Sequence, residues 1–467
     1  MSEVKNAISF IESFVPERMK KGKIPGVSVA VVSQDEVVYA AGFGVRDETR
    51  GLPATADTLY GIGSCTKSIV AMSILQLQEK GKLKVGDPVS DYVPLKIGLP
   101  DRPVKIHDLL THSPGIPNLG TVGITLYRYL GPETGIPWGS SEDFYRFVNG
   151  AGGEIAFEPG QRFFYLNTGY EILGHVIQEV SGMSFDSYVE ENIFKPLKMT
   201  RATFSKGKLL KDPDRLTPYR KKQDGALEAT DFPYPDVAEN PGFSFLAASG
   251  GALSSVRELT NYLRANLNGG ILDGVRVLSP ESMEIFQHPY VERPREYWGK
   301  HSYGYGWNIT EGFFGHNMVS HSGSILVSTA YQAMIPDLKI GIAAASNITG
   351  FPYSALAEGT FAALMGKNPA DVVPSLKIDE MMDTLIGEYK TYKGLAKTNV
   401  VNRGGMLYLE QVDDGVATST PLVPEEGSFK SGKFFVWSQE IKQPVEFVVH
   451  SKDQVDLYVE RNRFHKT

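Results

Sequence analysis

Strand-like runs stand near both ends of the first 370 residues and are scarce between about Val104 and Val256, so one sheet must gather its strands from distant parts of the chain. The early runs are Val27 to Ser33 and Val37 to Gly42, apolar and β-branched, parted by Gln34, Asp35 and Glu36. They predict a hairpin that opens an antiparallel sheet. The late runs are Gly323 to Ala330, Tyr331 to Ile335 and Ile340 to Ser346, followed by an apolar helical pattern through Leu356, Phe361 and Leu364. Between them lie helical segments and long loops rich in Gly and Pro, such as Gly115 to Gly120. Ile8, Ile11 and Val15 at helical spacing predict a helix ahead of the sheet. The fold class expected is α+β: an antiparallel sheet flanked by helices, with a mostly helical subdomain inserted into it.

After Gly366 to Pro374 the pattern changes. A short helix near Asp379 to Ile386 precedes strand-like runs of roughly six residues, separated by Arg403-Gly-Gly405, Asp413-Asp-Gly415 and Ser451-Lys-Asp453. Short strands joined by tight turns predict a small closed or nearly closed β-barrel. A chain of 467 residues exceeds what one hydrophobic core usually holds, and the expected domains are residues 1–370 and 371–467.

The formal charge of −7 comes without a long basic run, which argues against a nucleic-acid partner. The mixed-charge start is an amphipathic helix, not a signal peptide, and no apolar run approaches the ~18–20 residues that cross a bilayer. The expectation is a cytoplasmic protein with no membrane partner. One cysteine excludes an internal disulfide, and nine histidines show no His-x-x-x-His spacing. No metal and no cofactor are expected.

The chemistry is concentrated in three short signals. Ser64-Cys65-Thr66-Lys67 follows Tyr60-Gly-Ile-Gly63 and opens a helical pattern through Val70, Ile74 and Leu77 that ends at Gly81. A serine there lies among unpaired N–H groups and at the positive end of a helix dipole, where an oxyanion is favoured. Three-residue spacing puts Lys67 on the same face, about 5–6 Å away at Cβ. Ser-x-x-Lys also occurs at Ser2 and Ser205, in charged stretches that read as solvated surface.

Tyr165-Leu166-Asn167 stands on a loop before a helix from about Glu171. A phenol beside a lysine ammonium is held partly ionised or shares the proton, and Asn167 can hydrogen-bond both the lysine and a substrate carbonyl. His321-Ser322-Gly323 begins a strand-rich stretch; Gly323 lets a ligand lie against a strand edge, and Ser324 can offer its backbone N–H as a second oxyanion donor beside that of Ser64. Cys65 points about 100° away from the serine on a helix, so a thiol hydrolase built on Cys65 and His321 is the weaker reading. His112 is read as a capping or structural residue.

In this order the three signals resemble the serine β-lactamase and penicillin-binding-protein family, in particular its class C-like branch with D-aminopeptidases, D-Ala-D-Ala carboxypeptidases and esterases. Ile106-His-Asp-Leu-Leu-Thr-His-Ser-Pro-Gly115, Glu158-Pro-Gly-Gln161, Gly169-Tyr-Glu-Ile-Leu-Gly174 and Tyr303-Gly-Tyr-Gly-Trp307 look like that branch too, so the resemblance covers about residues 5 to 365. The barrel looks like the lipocalin-like domains appended to some of these peptidases. The resemblance implies that Ser64 attacks a carbonyl, that Lys67 and Tyr165 move the proton, and that an acyl-enzyme forms and is hydrolysed. Asn167, His321, Gly323 and Ser324 would bind substrate.

His321 stands where β-lactamases of the branch usually carry lysine, a permanent cation suited to a carboxylate, which makes efficient β-lactam hydrolysis doubtful. The function expected is a serine hydrolase of amide or ester bonds acting on small peptides, D-residues among them. A carboxylesterase, a weak β-lactamase and a non-catalytic receptor for peptides or cell-wall fragments are the alternatives. The loops Asn118 to Ser140 and Tyr219 to Phe245, with Tyr127, Tyr129, Trp138, Tyr234 and Phe243, are expected to shape the pocket. The barrel could cover the active site or join subunits into a homo-oligomer, and the sequence leaves both open.

Overall fold

The computed structural model describes residues 2–99, 101–130, 134–233, 246–294, 298–413, 416–425, 432–438 and 441–467. Two compact units result, Met1–Ala357 and Glu358–Thr467.

In the first unit, helix α1 (Ser2–Gly22) leads into strands β1 (Gly26–Ser33), β2 (Glu36–Asp47) and β3 (Leu52–Pro53). The sheet is completed from the far end of the unit by β4 (Val291–Arg293), β5 (His301–Tyr303), β6 (Asn308–Phe313), β7 (His316–Ser324), β8 (Thr329–Ile335) and β9 (Ile340–Ser346). Strand order is β4-β5-β6-β7-β8-β9-β1-β2-β3, antiparallel at each pairing, with Val29 opposite Ala344 on one side and Ala41 on the other. Early and late strands meet at the β9–β1 pairing.

Strands β8 and β9 are buried along their whole length, and β1 in all but its last residue, because helices cover both faces. Ala30, Val32, Ala343 and Ala345 face the large core that includes helix Val256–Leu267, while α1 packs on β1 and β2 with Ile11, Phe14 and Val15 buried. The small alanines let that helix lie close to the sheet.

Helix α2 (Thr66–Glu79) is buried from Thr66 to Leu77 on every side, not on the single apolar face that Val70, Ile74 and Leu77 suggest. Its polar groups are paired in place: Ser73 Oγ donates to the Ile69 carbonyl at 2.9 Å and Gln76 Nε2 to that of Val277 at 2.9 Å. The insert between the sheet halves is largely helical, with α3 (Ile106–Leu110), α4 (Thr121–Leu130), α5 (Ser141–Gly150) and α6 (Asn167–Ser181).

Two strand limits depart from the sequence reading. The run Gly323 to Ala330 is not one strand; β7 ends at Ser324 and β8 starts at Thr329, with Leu326 left-handed at φ 70° between them. His321 accordingly lies within a strand.

The second unit is a nine-stranded, nearly closed antiparallel barrel in which Gly387–Lys390 pairs with both Lys397–Arg403 and the last strand, Asn462–Lys466. Tyr389, Leu407, Leu409, Phe434, Phe447, Leu457 and Phe464 form its core, and helix Pro374–Leu385 adds Met382 and Leu385. Among the described residues no helix is long and apolar enough to cross a membrane.

Candidate active site

Ser64 lies on a single 3-10 turn, Gly63–Cys65, that runs directly into α2. Gly63 is left-handed at φ 53°, and a Cβ on it would stand 2.3 Å from the Ser324 nitrogen. A Cβ on Gly323 would stand 1.8 Å from the Ile62 carbonyl oxygen and 2.8 Å from the Ser64 nitrogen. Turn and strand β7 therefore meet backbone to backbone, which brings the amides of Ser64 and Ser324 to one place. Side chains fix the contact: Cys65 Sγ donates to the His321 carbonyl at 3.2 Å, Gln332 Nε2 to Ser68 Oγ at 3.0 Å, and Thr66 Oγ1 to the Gly63 carbonyl at 2.7 Å.

Lys67 is fully buried on the first turn of α2. Its Nζ donates to Ser64 Oγ at 3.0 Å, Asn167 Oδ1 at 2.7 Å and the Ser249 carbonyl at 2.7 Å, which uses all three protons of an ammonium. The rings of Tyr165 and Tyr170 lie 4.9 and 5.4 Å from it. Burial pulls its pKa down to about 7, against a smaller opposing pull from the Glu171 carboxylate. A large fraction of neutral amine at pH 7 follows, within reach of the serine proton.

Tyr165 is held from both sides by His112. The His112 carbonyl accepts the Phe164 N–H at 2.7 Å and its Nδ1 accepts the Leu166 N–H at 3.0 Å, so the residues flanking the tyrosine are pinned to one left-handed position, φ 57°. A ring centroid distance of 4.3 Å adds contact with the tyrosine itself. Tyr165 hydrogen-bonds Ser64, and burial raises its phenol well above the usual range. Of the two states expected from sequence, partly ionised or sharing the proton, burial disfavours the ionised one. Asn167 is the first residue of α6, four residues earlier than expected.

His321 is buried, its ring 6.3 Å from that of Tyr165. Nδ1 donates to the Ser322 carbonyl at 2.6 Å, because a carbonyl only accepts; Nε2 then accepts from the Tyr303 hydroxyl at 2.9 Å. Burial lowers its pKa to about 3, so the imidazole is neutral. Ser322 and Ser324 point to solvent on the same strand. All seven residues singled out by sequence thus lie around one point.

Cys65 is buried with its thiol pKa pushed up, and its partner is the His321 backbone, not the ring. Among the described residues no group of His, Cys, Asp and Glu could hold a metal ion.

Several residues were missed. Glu171 sits behind Lys67 and accepts the Ser249 N–H at 3.0 Å; its i,i+4 spacing from Asn167 was the available signal. Arg293, which bonds Asn308 and lies over the Phe163 ring at 4.7 Å, places positive charge near Tyr165 and His321. Trp138 does not line the site: it is a core residue packed on Phe144 and Phe147 and bonded to Thr125. Tyr127 and Tyr129 lie on α4, not on a loop; their side chains, with Tyr234 and Phe243, fall outside the described residues.

Comparison with known proteins bears on the fold and the family. Residues 11–365 match the Beta-lactamase family model, and residues 369–465 match that of the Pab87 octamerisation domain. The structure of the octameric penicillin-binding protein homologue from Pyrococcus abyssi superposes with a TM-score of 0.89 at 37% identity, covering 98% of this chain and 100% of that one. The penicillin binding protein from Bacillus halodurans shares the fold, with a TM-score of 0.59 at 22% identity over 75% of this chain and 99% of that chain. Protein flp of Staphylococcus aureus is 26% identical over 342 residues, 72% of this chain. The match spans only 62% of that relative's length. The chain belongs to the beta-lactamase family.

Proposed function

We propose that this chain cleaves amide or ester bonds through an acyl-enzyme on Ser64, as a peptidase of small peptides that include D-residues. The observation that carries the reading is a fully buried lysine amine 3.0 Å from the serine oxygen, with Asn167 and Tyr165 around it.

Neutral Lys67 takes the proton as Ser64 Oγ attacks the carbonyl. The oxygen becomes an anion between the N–H groups of Ser64 and Ser324. Tyr165 passes its proton to the departing amine or alkoxide and regains one from the Lys67 ammonium. Water then attacks the acyl-enzyme, its proton going to the same pair, and Ser64 leaves with a proton restored. A neutral phenol suits the donor step, and Asn167 fixes both amine and substrate. Gly323 leaves room for a substrate along β7. Neutral His321 does not offer a β-lactam carboxylate the permanent cation that a lysine would; among the described residues the permanent cation near the site is Arg293, so turnover of a cephalosporin is what separates β-lactams from peptides and esters.

A non-catalytic receptor has no use for a buried amine at the serine. A panel of p-nitroanilides of L- and D-residues, p-nitrophenyl esters and a chromogenic cephalosporin, with Ser64→Ala as control, tests the reading. Serine-dependent turnover of anilides supports the peptidase, of esters alone the esterase; no turnover of any removes the enzyme.

Residues 1–370 are taken as the hydrolase domain and 371–467 as the assembly domain. The octamerisation-domain match and the octameric relative support a homo-octamer, and Tyr392, Leu395, Trp437 and Ile441 expose apolar surface on the barrel unit for it. Light scattering on the full chain tests this; a monomer at all concentrations would end it.

A further inference from the structure

Beyond the residues given a role above, one carboxylate is buried against the back of the site. Glu171 is 2% exposed and lies one helical turn after Asn167 on α6. Its Oε1 accepts the Ser249 N–H at 3.0 Å, while the carbonyl of that same Ser249 accepts Lys67 Nζ at 2.7 Å. Carboxylate and amine are thus tied to the two ends of one residue. Ser249 belongs to the short helix Ala247–Gly250, and a Cβ on Gly250 would meet the backbone of Gly63 at 3.4 Å, so this residue is set by the same packing that places the nucleophile.

Resting on the serine hydrolase reading above, we infer that Glu171 is a positioning residue, whose charge holds Lys67 in place through Ser249 and sets how readily the amine accepts the Ser64 proton. A buried ammonium without a counter-charge sheds its proton; a carboxylate nearby opposes this. Both effects act on Lys67, and the same burial raises Glu171 to about 7, so the two groups titrate as a pair.

The other groups facing Lys67 are Cys65 on the turn ahead of α2, Tyr165 ahead of α6, Tyr170 on α6, His112 after α3 and His321 on β7; Tyr303 on β5 and Arg293 on β4 stand next to Tyr165 and His321. Burial keeps the thiol, the phenols and the imidazoles neutral. The influence of Arg293 falls on Tyr165, Tyr303 and the two histidines. Among the described residues, Glu171 is the carboxylate whose charge raises Lys67.

Two substitutions separate charge from hydrogen bonding. Glu171→Gln keeps an acceptor for the Ser249 N–H and removes the charge; Glu171→Asp keeps the charge and withdraws the acceptor. The rate of labelling by a fluorophosphonate is followed from pH 5 to 10 in both and in the unaltered protein. The inference predicts that E171Q moves the acid limb down by about one pH unit and that E171D leaves its midpoint in place. It is overturned if E171Q keeps the original midpoint, or if E171D shifts as far as predicted for E171Q. Should E171Q not fold, Glu171→Ala, which also removes the charge, takes its place with the same predicted shift and the same overturning result. Failure of the unaltered protein to label at any pH would instead strike the serine hydrolase reading, so the two failures are distinct.

Discussion

Gly323→Ala puts the backbone contact between nucleophile and strand to a direct test. The added methyl would lie 1.8 Å from the Ile62 carbonyl oxygen and 2.8 Å from the Ser64 nitrogen. Carbon–oxygen contacts ordinarily begin near ~3.3 Å, so the turn and β7 must part by about 1.5 Å. Gly323 is not left-handed, and the penalty is therefore steric alone. Overpacking of this kind costs about 1–3 kcal/mol. The larger effect falls on chemistry: a misplacement of about 1 Å costs ~100-fold, and loss of one oxyanion donor ~100- to 1,000-fold. The labelling rate by a fluorophosphonate should fall by ~100- to 1,000-fold while the urea midpoint moves only modestly. Gly86→Ala, where a Cβ meets nothing within 4 Å, is the control and should change stability by no more than about 0.5 kcal/mol. A G323A protein that labels at the unaltered rate would refute the reasoning, since the two amides could not then owe their placement to that contact.

Lys67→Met should lower turnover and labelling by ~100- to 10,000-fold, as expected for loss of a general base, and a smaller loss would mean that another group takes the proton. In the unaltered protein the labelling rate should rise with pH through about 7, because the amine must be neutral to act; a flat profile from pH 5 to 9 contradicts this. His321 is depressed from its usual value to about 3, so the unfolded chain binds a proton there that the native state does not, and stability falls as pH drops from about 6.5 towards 3. His321→Gln should flatten that stretch by up to about 1.4 kcal/mol per pH unit in urea titrations at pH 4 and 6.5; an unchanged slope would place the acid sensitivity elsewhere. His112→Ala removes the ring acceptor of the Leu166 N–H and should slow labelling more than it alters stability, as read from rate and urea midpoint together.

Sequence spacing made the fold class and the core of the site legible because both follow from short-range periodicity. The hairpin at Val27 to Gly42 and the pairing of Ser64 with Lys67 need only the strand and helix repeats. What escaped depends on residues far apart in the chain. Glu171 gains its meaning from Ser249, 78 residues on, and His112 from Leu166, 54 residues on. Burial was equally invisible, and it decides protonation: the phenol of Tyr165 is neutral because the site is closed around it, whatever its neighbours suggest. Trp138 was assigned to the pocket as part of the loop Asn118 to Ser140, and its burial against Phe144 puts it in the core.

The central claim is that Ser64 is an activated nucleophile. Intact-mass spectrometry after exposure to a fluorophosphonate, with Ser64→Ala alongside, tests it most directly. The account predicts one adduct per chain that vanishes in the variant. A folded protein that gains no mass, or an adduct that survives in S64A, would contradict it.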